Sequence, residues 1–132
     1  MTGRAHETSA AAKRRQEALQ VFKDHPDRIS PKIQQNILAQ QVVLGMAPYE
    51  AYLAAGAFAF KVNADPAKWG ARADPYKVMW GQSIEPDQSE IWMTFATDTQ
   101  FPEEGMRSFR VFFRAGKAVE IEKLPIRSDQ DA

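Results

Sequence analysis

Cysteine is absent from this 132-residue chain, and so is any surplus of charge, because 17 lysines and arginines balance 17 aspartates and glutamates. Without cysteine there is no disulfide, no thiol nucleophile and no thiolate ligand for zinc or an iron–sulfur cluster. Without a basic surplus the chain lacks the composition of a general nucleic-acid binder, which needs Lys and Arg to displace phosphate counterions. We therefore expect no cofactor, no metal and no nucleic acid among its ligands.

Long apolar runs are also absent. No stretch approaches the roughly 18 apolar residues that a membrane-spanning helix needs. The N-terminal residues lack the apolar core of a signal peptide. We expect either a cytoplasmic protein or the mature part of an exported one, and membrane association only through a lipid anchor that this chain does not carry.

The first half of the chain is expected to form two or three helices. Each begins with a residue typical of a helix start, either a capping hydroxyl or a proline in the first turn, and continues with good helix formers or 3.6-periodic apolar residues. The predicted helices are Ala10 to Asp24, capped by Ser9 or Thr8, a second from Pro31, capped by Ser30, and a third from Pro48 to Ala55, ended by Gly56.

After Gly56 the apolar residues alternate with polar ones, which is typical of half-buried strands. The predicted strands are a short one around Phe58 to Val62, then Tyr76 to Ser83, Ser89 to Thr97, Arg107 to Arg114 and Ala118 to Leu124. We expect the helices to cover the face formed by Ile91, Met93, Phe95, Phe109, Val111 and Phe113, with Val119 and Ile121 also pointing inward.

Helices followed by a run of strands indicate segregated layers. The predicted fold is α+β, with two or three N-terminal helices packed on one face of a three- to four-stranded antiparallel meander sheet. Residues 9–125 are expected to form a single domain, preceded by a flexible segment at 1–8 and followed by a flexible polar tail at 126–132.

Residues suited to catalysis are few. His6 lies near the terminus and His25 at a helix end, and neither has a spaced partner for nucleophilic or general-base work. The acidic residues beside Pro and Gly are typical turn formers. We therefore expect that the chain is not an enzyme. A less favoured hypothesis is a small enzyme with a pocket between helices and sheet. Such a pocket would need a catalytic pair, and the strands offer Tyr76 but no acidic residue facing it.

Aromatic residues are the enriched class, with three Trp, three Tyr and eight Phe. Trp80 and Trp92 are favoured as core or half-covered sheet residues. Phe112 stands between two arginines on the outward side of its strand, where it contacts a partner or is shielded by Trp92 or the helices. The candidate partner contacts are Tyr49, Trp69, Arg110, Phe112 and Arg114.

Residues 42–56 read Val-Val-Leu-Gly-Met-Ala-Pro-Tyr-Glu-Ala-Tyr-Leu-Ala-Ala-Gly. This segment resembles the signature of the small outer-membrane assembly lipoproteins of the SmpA/OmlA (BamE) family, in which Gly-Met precedes a helix closed by Gly. In that family a strand with Trp and Tyr and a closing hairpin follow, and residues 76–80 and 109–121 occupy those places. Ala47 stands where the family has a capping Thr or Ser, the loop at 65–75 is long, and the lipid-bearing cysteine is missing.

The resemblance implies a non-enzymatic interaction or scaffold domain of the bacterial cell envelope, periplasmic or associated with the outer membrane if a leader was removed. A protein is the expected partner. The alternative is a secreted inhibitor-like or ligand-binding module that uses the outer face of the sheet, since folds related to this family include secreted inhibitors of β-lactamase.

Overall fold

The structure is a computed structural model, and it describes residues 9–57, 59–70 and 73–125. The predictions for residues 1–8, for Phe58 and for residues 126–132 lie outside these ranges. None of the helices within them has the length and hydropathy to span a bilayer.

Helices come first along the chain and most of the sheet comes last, which confirms the α+β prediction. The described residues contain four strands, which form one antiparallel sheet in the order β1-β2-β3-β4. The elements are α1 Ser9–Asp24, α2 Pro31–Leu38, α3 Pro48–Ala55, β1 Ala59–Asn63, α4 Pro66–Trp69, α5 Pro75–Gly81, β2 Glu90–Thr97, a 3₁₀ turn at Pro102–Glu104, β3 Arg107–Arg114 and β4 Lys117–Lys123.

The helix starts follow the predicted chemistry. The Ser30 hydroxyl accepts a hydrogen bond from the Ile33 amide at 3.3 Å and caps α2. At α3 the N-cap is Ala47, which has no side-chain acceptor, and the Glu50 carboxylate accepts from the Ala47 amide at 2.9 Å instead. Gly56, with φ of +67°, ends α3 in a conformation that other residues rarely adopt.

One face of the sheet forms the core together with α3 and the segment that precedes it. The six residues that we expect to face the helices are all fully buried, and the rings of Phe95 and Phe109 stack at 5.2 Å. Burying a large apolar side chain contributes roughly 1.5–3 kcal/mol. This face therefore holds the helices and the sheet together.

The prediction of a strand over Tyr76 to Ser83 is wrong, because this segment forms α5. The Asp74 carboxylate caps the helix by accepting from the Tyr76 amide at 3.0 Å, and Pro75 occupies the first helical position. Val78 and Met79 are consecutive and both buried. A strand with one buried and one exposed face would expose one of the two, because successive side chains of a strand point to opposite faces. The place of the family's strand at 76–80 is therefore helical here.

The inward orientation predicted for Val119 is also wrong. The pairing of β3 with β4 shifts register between Phe112 and Phe113, so that Phe112 lies opposite Glu120 while Phe113 lies opposite Ala118. The extra residue of this bulge is Val119, whose side chain is 49% exposed, and Ala118 is buried in its stead. Ile121 lies opposite Val111 and is partly buried, in agreement with the prediction.

The β3–β4 hairpin turn depends on Gly116. Ala115 and Gly116 both have positive φ, at 53° and 79°, as in the tight turns that join antiparallel strands. Gly116 is buried, and a Cβ there would lie 2.9 Å from Pro86 Cβ and 3.1 Å from the Gln82 carbonyl oxygen. We expect Gly116→Ala to lower the free energy of unfolding by about 2 kcal/mol, through backbone strain and contact with a fixed backbone.

Chemical denaturation tests this, with Gly45→Ala as the control. Gly45 also has a positive φ, at +93°, but open space around its Cα, so its substitution introduces backbone strain without a steric contact. Equal losses for the two variants would show that the contact with Pro86 and Gln82 does not matter.

Candidate functional site

The face of the sheet opposite the core is open. Two shallow depressions on it, of about 300 and 410 Å³, are lined by strand residues alone, so no described helix covers them. Phe60 borders one of them but lies opposite the buried Met93 and belongs to the core face. The other side chains that line them belong to all four strands: Ala59, Lys61, Glu90, Trp92, Thr94, Arg110, Phe112, Arg114, Glu120 and Glu122. We call this surface the outer face.

A single row of side chains crosses the middle of the outer face. The strand register places Lys61 opposite Trp92, Trp92 opposite Phe112 and Phe112 opposite Glu120. Residues directly opposite in an antiparallel pair lie on the same face, with Cβ atoms about 5 Å apart. The four side chains, which we call the central row, therefore run from a cation through two aromatic rings to an anion.

The two rings of the central row are in contact. The Trp92 and Phe112 rings stack with centroids 5.0 Å apart and planes inclined by 26°. The Lys61 ammonium lies 5.7 Å from the Trp92 ring centroid, and the Arg114 guanidinium lies 5.1 Å from that of Phe112. Both rings are half-buried by these neighbours, which leaves their upper surfaces available to a ligand.

Charges of both signs surround the rings. Arg110 pairs with Glu122 at 2.8 Å and Arg114 with Glu90 at 3.5 Å, both across neighbouring strands and both exposed. Exposed pairs of this kind contribute little to stability. Lys61 and Glu120, at the two ends of the central row, have no ion-pair partner among the described residues.

The structure brings together three of the predicted contact residues, Arg110, Phe112 and Arg114, and adds Trp92 as the ring that partly shields Phe112. The sequence also predicts Glu120 on the outward side, beside Arg110 and Arg114, but it gives neither the position of Glu120 opposite Phe112 nor any role for Lys61. Their position depends on which residue of β1 and of β4 lies opposite each residue of the central strands, and periodicity within one strand does not contain that information.

Tyr49 lies elsewhere and has partners within the chain. Its hydroxyl donates a hydrogen bond to the Glu17 carboxylate, and its ring meets Trp80 edge-on at 5.7 Å. Burial, together with the hydrogen bond to the Glu17 carboxylate and its charge, raises the pKa of Tyr49 far above its usual range. Tyr49 therefore joins α3 to α1 and stays a neutral phenol.

Trp69 is likewise tied to its own fold. Its indole N–H donates to the Asp87 carboxylate at 2.8 Å, and the Lys68 ammonium lies 5.5 Å from the ring centroid. It is part of the packing between α4 and the connection from α5 to β2, away from the outer face.

The rest of the described surface includes a smaller groove. It has a volume of about 220 Å³, is mostly apolar and lies between α3, α5 and β1, and its walls include Tyr52, Phe60, Tyr76 and Trp80. In the part of the chain that the structure describes, no three His, Asp or Glu side chains come together as a metal site would require.

The segment that resembles the envelope lipoproteins occupies a central place in the fold. Met46 is fully buried, and residues Gly45 and Met46 exchange backbone hydrogen bonds with Ala118 of β4 at 2.9 and 2.7 Å. The helix that follows ends at Gly56, as the resemblance implies, whereas residues 76–80 are helical rather than extended. Comparisons with protein-family models, with curated proteins and with solved structures each found no match to this chain, so membership of the family stays a prediction.

Proposed function

We propose that this chain is a non-enzymatic protein-binding domain that engages its partner through the outer face. In keeping with the resemblance of residues 42–56, we place this work in the bacterial cell envelope, where the domain acts as a scaffold or accessory subunit. The observation that carries the proposal is the stacked Trp92–Phe112 pair at the centre of a sheet face that no described helix covers.

The composition of the outer face is that of a protein interface. Binding energy in such interfaces concentrates on a few aromatic and arginine side chains near the centre, surrounded by polar residues that exclude water. Here Trp92 and Phe112 form the centre, and the charged residues around them form the rim, with the Arg114 guanidinium 5.1 Å from the Phe112 ring centroid. The rim charges would set the orientation and the rate of association.

A single-stranded nucleic acid is a weaker fit to the same rings. Aromatic side chains with neighbouring arginines can stack bases. However, Glu90, Glu120 and Glu122 line the same depression as Phe112, and their carboxylates would repel a phosphate backbone. The near-balance of charge on this face favours a protein surface.

The experiment is quantitative capture of proteins from a native extract, with nuclease treatment, by the immobilised chain. We expect Trp92→Ala and Phe112→Ala each to reduce recovery of the specific partner at least about tenfold, as for central interface residues. Ile84→Ala is the control, because Ile84 is 77% exposed and lies off the outer face. Equal recovery by all four proteins would contradict the proposal, and recovery lost on nuclease treatment would point to nucleic acid.

The identity of the captured protein separates two versions of this function. Envelope-assembly proteins would support the scaffold role. A defined hydrolase would support the inhibitor-like module, which the clustering of Phe112 with Arg110 and Arg114 on the outer face also allows.

A further inference from the structure

We propose that the partner of the outer face is a second copy of this chain, packed face to face about a two-fold axis that runs parallel to the strands between β2 and β3. This inference rests on the proposed function and names the occupant of the same surface. It follows from the order of charges along the central row and from the constraint that two-fold symmetry places on an interface.

The central row has unlike ends and an apolar middle. Its cation, Lys61, lies on the edge strand β1, and its anion, Glu120, lies on the opposite edge strand β4. Three inter-strand spacings of about 4.8 Å separate them, so the two side chains are roughly 14 Å apart and cannot pair within one molecule. Both are left without an ion-pair partner among the described residues.

A two-fold axis parallel to the strands reverses this row. It sets Lys61 over Glu120 of the second copy and Glu120 over Lys61 of the second copy, and it places Trp92 over Phe112. In the adjoining row, where Glu90 lies opposite Arg114, the same operation sets Glu90 over Arg114 of the second copy. In these two rows the outer face is complementary to itself in charge and in aromatic content, as an isologous interface must be, and in the third row Thr94 would lie over Arg110 of the second copy without a clash of like charges.

The same charges disfavour a two-fold axis that runs across the strands along the central row. Such an axis would leave the order of the row unchanged, so that Lys61 would lie over Lys61 and Glu120 over Glu120. Like charges in contact across an interface are unfavourable. Both axes keep the strands of the two sheets nearly aligned, which is the common arrangement of stacked sheets, so the charges of the central row decide between them.

The extent of the face sets the strength of the dimer. Strands β2 and β3 have eight residues each, β4 has seven and β1 has five, so the face spans about 15 by 25 Å at its longest. Stacking two such faces buries roughly 750 Å², which is below the range of stable specific interfaces and typical of weak ones. The dimer should therefore be weak and should dissociate on dilution through the micromolar range.

Sedimentation velocity of the full chain over a concentration series tests the inference with a pair of charge reversals. Lys61→Glu places two glutamates in contact at each end of the interface, and Glu120→Lys places two lysines there. We expect each variant alone to raise the dimer dissociation constant at least about tenfold. The double variant Lys61→Glu with Glu120→Lys should dimerise as the wild type does.

The most decisive measurement is sedimentation of an equimolar mixture of the two single variants. Lys61→Glu presents acids at both ends of the row and Glu120→Lys presents bases at both ends, so an equimolar mixture should form a heterodimer although neither variant dimerises alone. Recovery in the double variant and in the mixture would establish that residue 61 of one copy faces residue 120 of the other. Failure of either recovery would overturn the inference.

The outcomes separate this inference from the proposed function. A wild-type chain that sediments as a monomer at every concentration, yet captures another protein in a Trp92-dependent manner, would overturn the second copy as partner and leave the binding face standing. A dimer that none of the charge reversals, nor Trp92→Ala, affects would overturn the inference and would also count against the outer face as a binding surface.

Discussion

Phe109→Ala is expected to lower the free energy of unfolding by about 3–5 kcal/mol, which is the usual cost of removing a fully buried phenylalanine ring. Phe109 has no exposed surface, stacks on Phe95 at 5.2 Å and meets Phe101 edge-on at 5.6 Å. The alanine would leave a cavity where the helices contact the sheet. Because a domain of this size is stable by only about 5–15 kcal/mol, this one change removes a large part of the total.

The matched control is Phe112→Ala, three residues along the same strand and on the other face. Phe112 is half-buried and contacts Trp92 and Arg114 on the outer face, so we expect a cost of about 1–2 kcal/mol for the loss of the aromatic stack and the cation–π contact. Urea denaturation of both variants measures the difference. Similar costs at the two positions would mean that the outer face is as much a part of the folded core as the inner one.

Asp87→Ala is expected to cost about 3 kcal/mol, because one nearly buried carboxylate joins three elements. Its side chain is only 7% exposed. Its oxygens accept hydrogen bonds from the Trp69 indole at 2.8 Å, from the Ser89 amide at 2.7 Å and from the Gln82 side chain at 3.1 Å. Removing the carboxylate leaves the Trp69 indole and the Ser89 amide without an acceptor, which costs more than the bonds themselves contribute, whereas the Gln82 side chain keeps its hydrogen bond to the Val78 carbonyl oxygen.

Asp98→Ala is the control for this loss, since Asp98 is exposed at the end of β2 and makes no side-chain hydrogen bond among the described residues. We expect it to change the free energy of unfolding by less than about 0.5 kcal/mol. If Asp87→Ala were equally mild, the connection between α5 and β2 would not depend on the carboxylate.

Because of the Asp87 carboxylate, we expect the stability of the fold to depend on pH. Burial alone would raise the pKa of Asp87, but the hydrogen bonds from Ser89, Trp69 and Gln82 outweigh burial and hold the pKa below its ordinary value. A carboxylate with a depressed folded pKa stabilises the fold above its unfolded pKa of about 3.9 and loses that contribution as the pH falls below it. The stability gap between the wild type and Asp87→Asn should therefore narrow on acidification, which denaturation at neutral and acidic pH can measure.

The sequence predicted those parts of the fold that depend on local chemistry. Ser30 with Pro31, and Pro48 with Gly56, define α2 and the whole of α3 because caps and prolines act within one helical turn. The sequence predicts a strand at 76–83 because Tyr76, Val78 and Trp80 alternate along it and belong to types that are enriched in strands. The deciding signal was Asp74-Pro75, a cap followed by a first-turn proline, and the same pairing at Asp65-Pro66 starts α4.

The candidate site was predictable only in part. Alternation along β3 places Arg110, Phe112 and Arg114 on one face, and this much follows from the sequence. The central row needs the register of all four strands, and the bulge at Val119 shifts the pairing of β4 by one residue. Tyr49 and Trp69 are residue types that are common in interfaces. In this fold, however, the Tyr49 hydroxyl donates a hydrogen bond to Glu17 and the Trp69 indole donates one to Asp87.

The most direct test of the binding face is hydroxyl-radical footprinting of the isotopically labelled chain, dilute in buffer, concentrated in buffer, and dilute in native extract. Oxidation of Trp92 and Phe112 is expected to fall several-fold in at least one of the last two conditions, while oxidation of Tyr76, an exposed aromatic residue off the outer face, stays constant. Equal oxidation of Trp92 and Phe112 in all three conditions would contradict the account, because the two rings would then remain open to solvent where a partner should cover them.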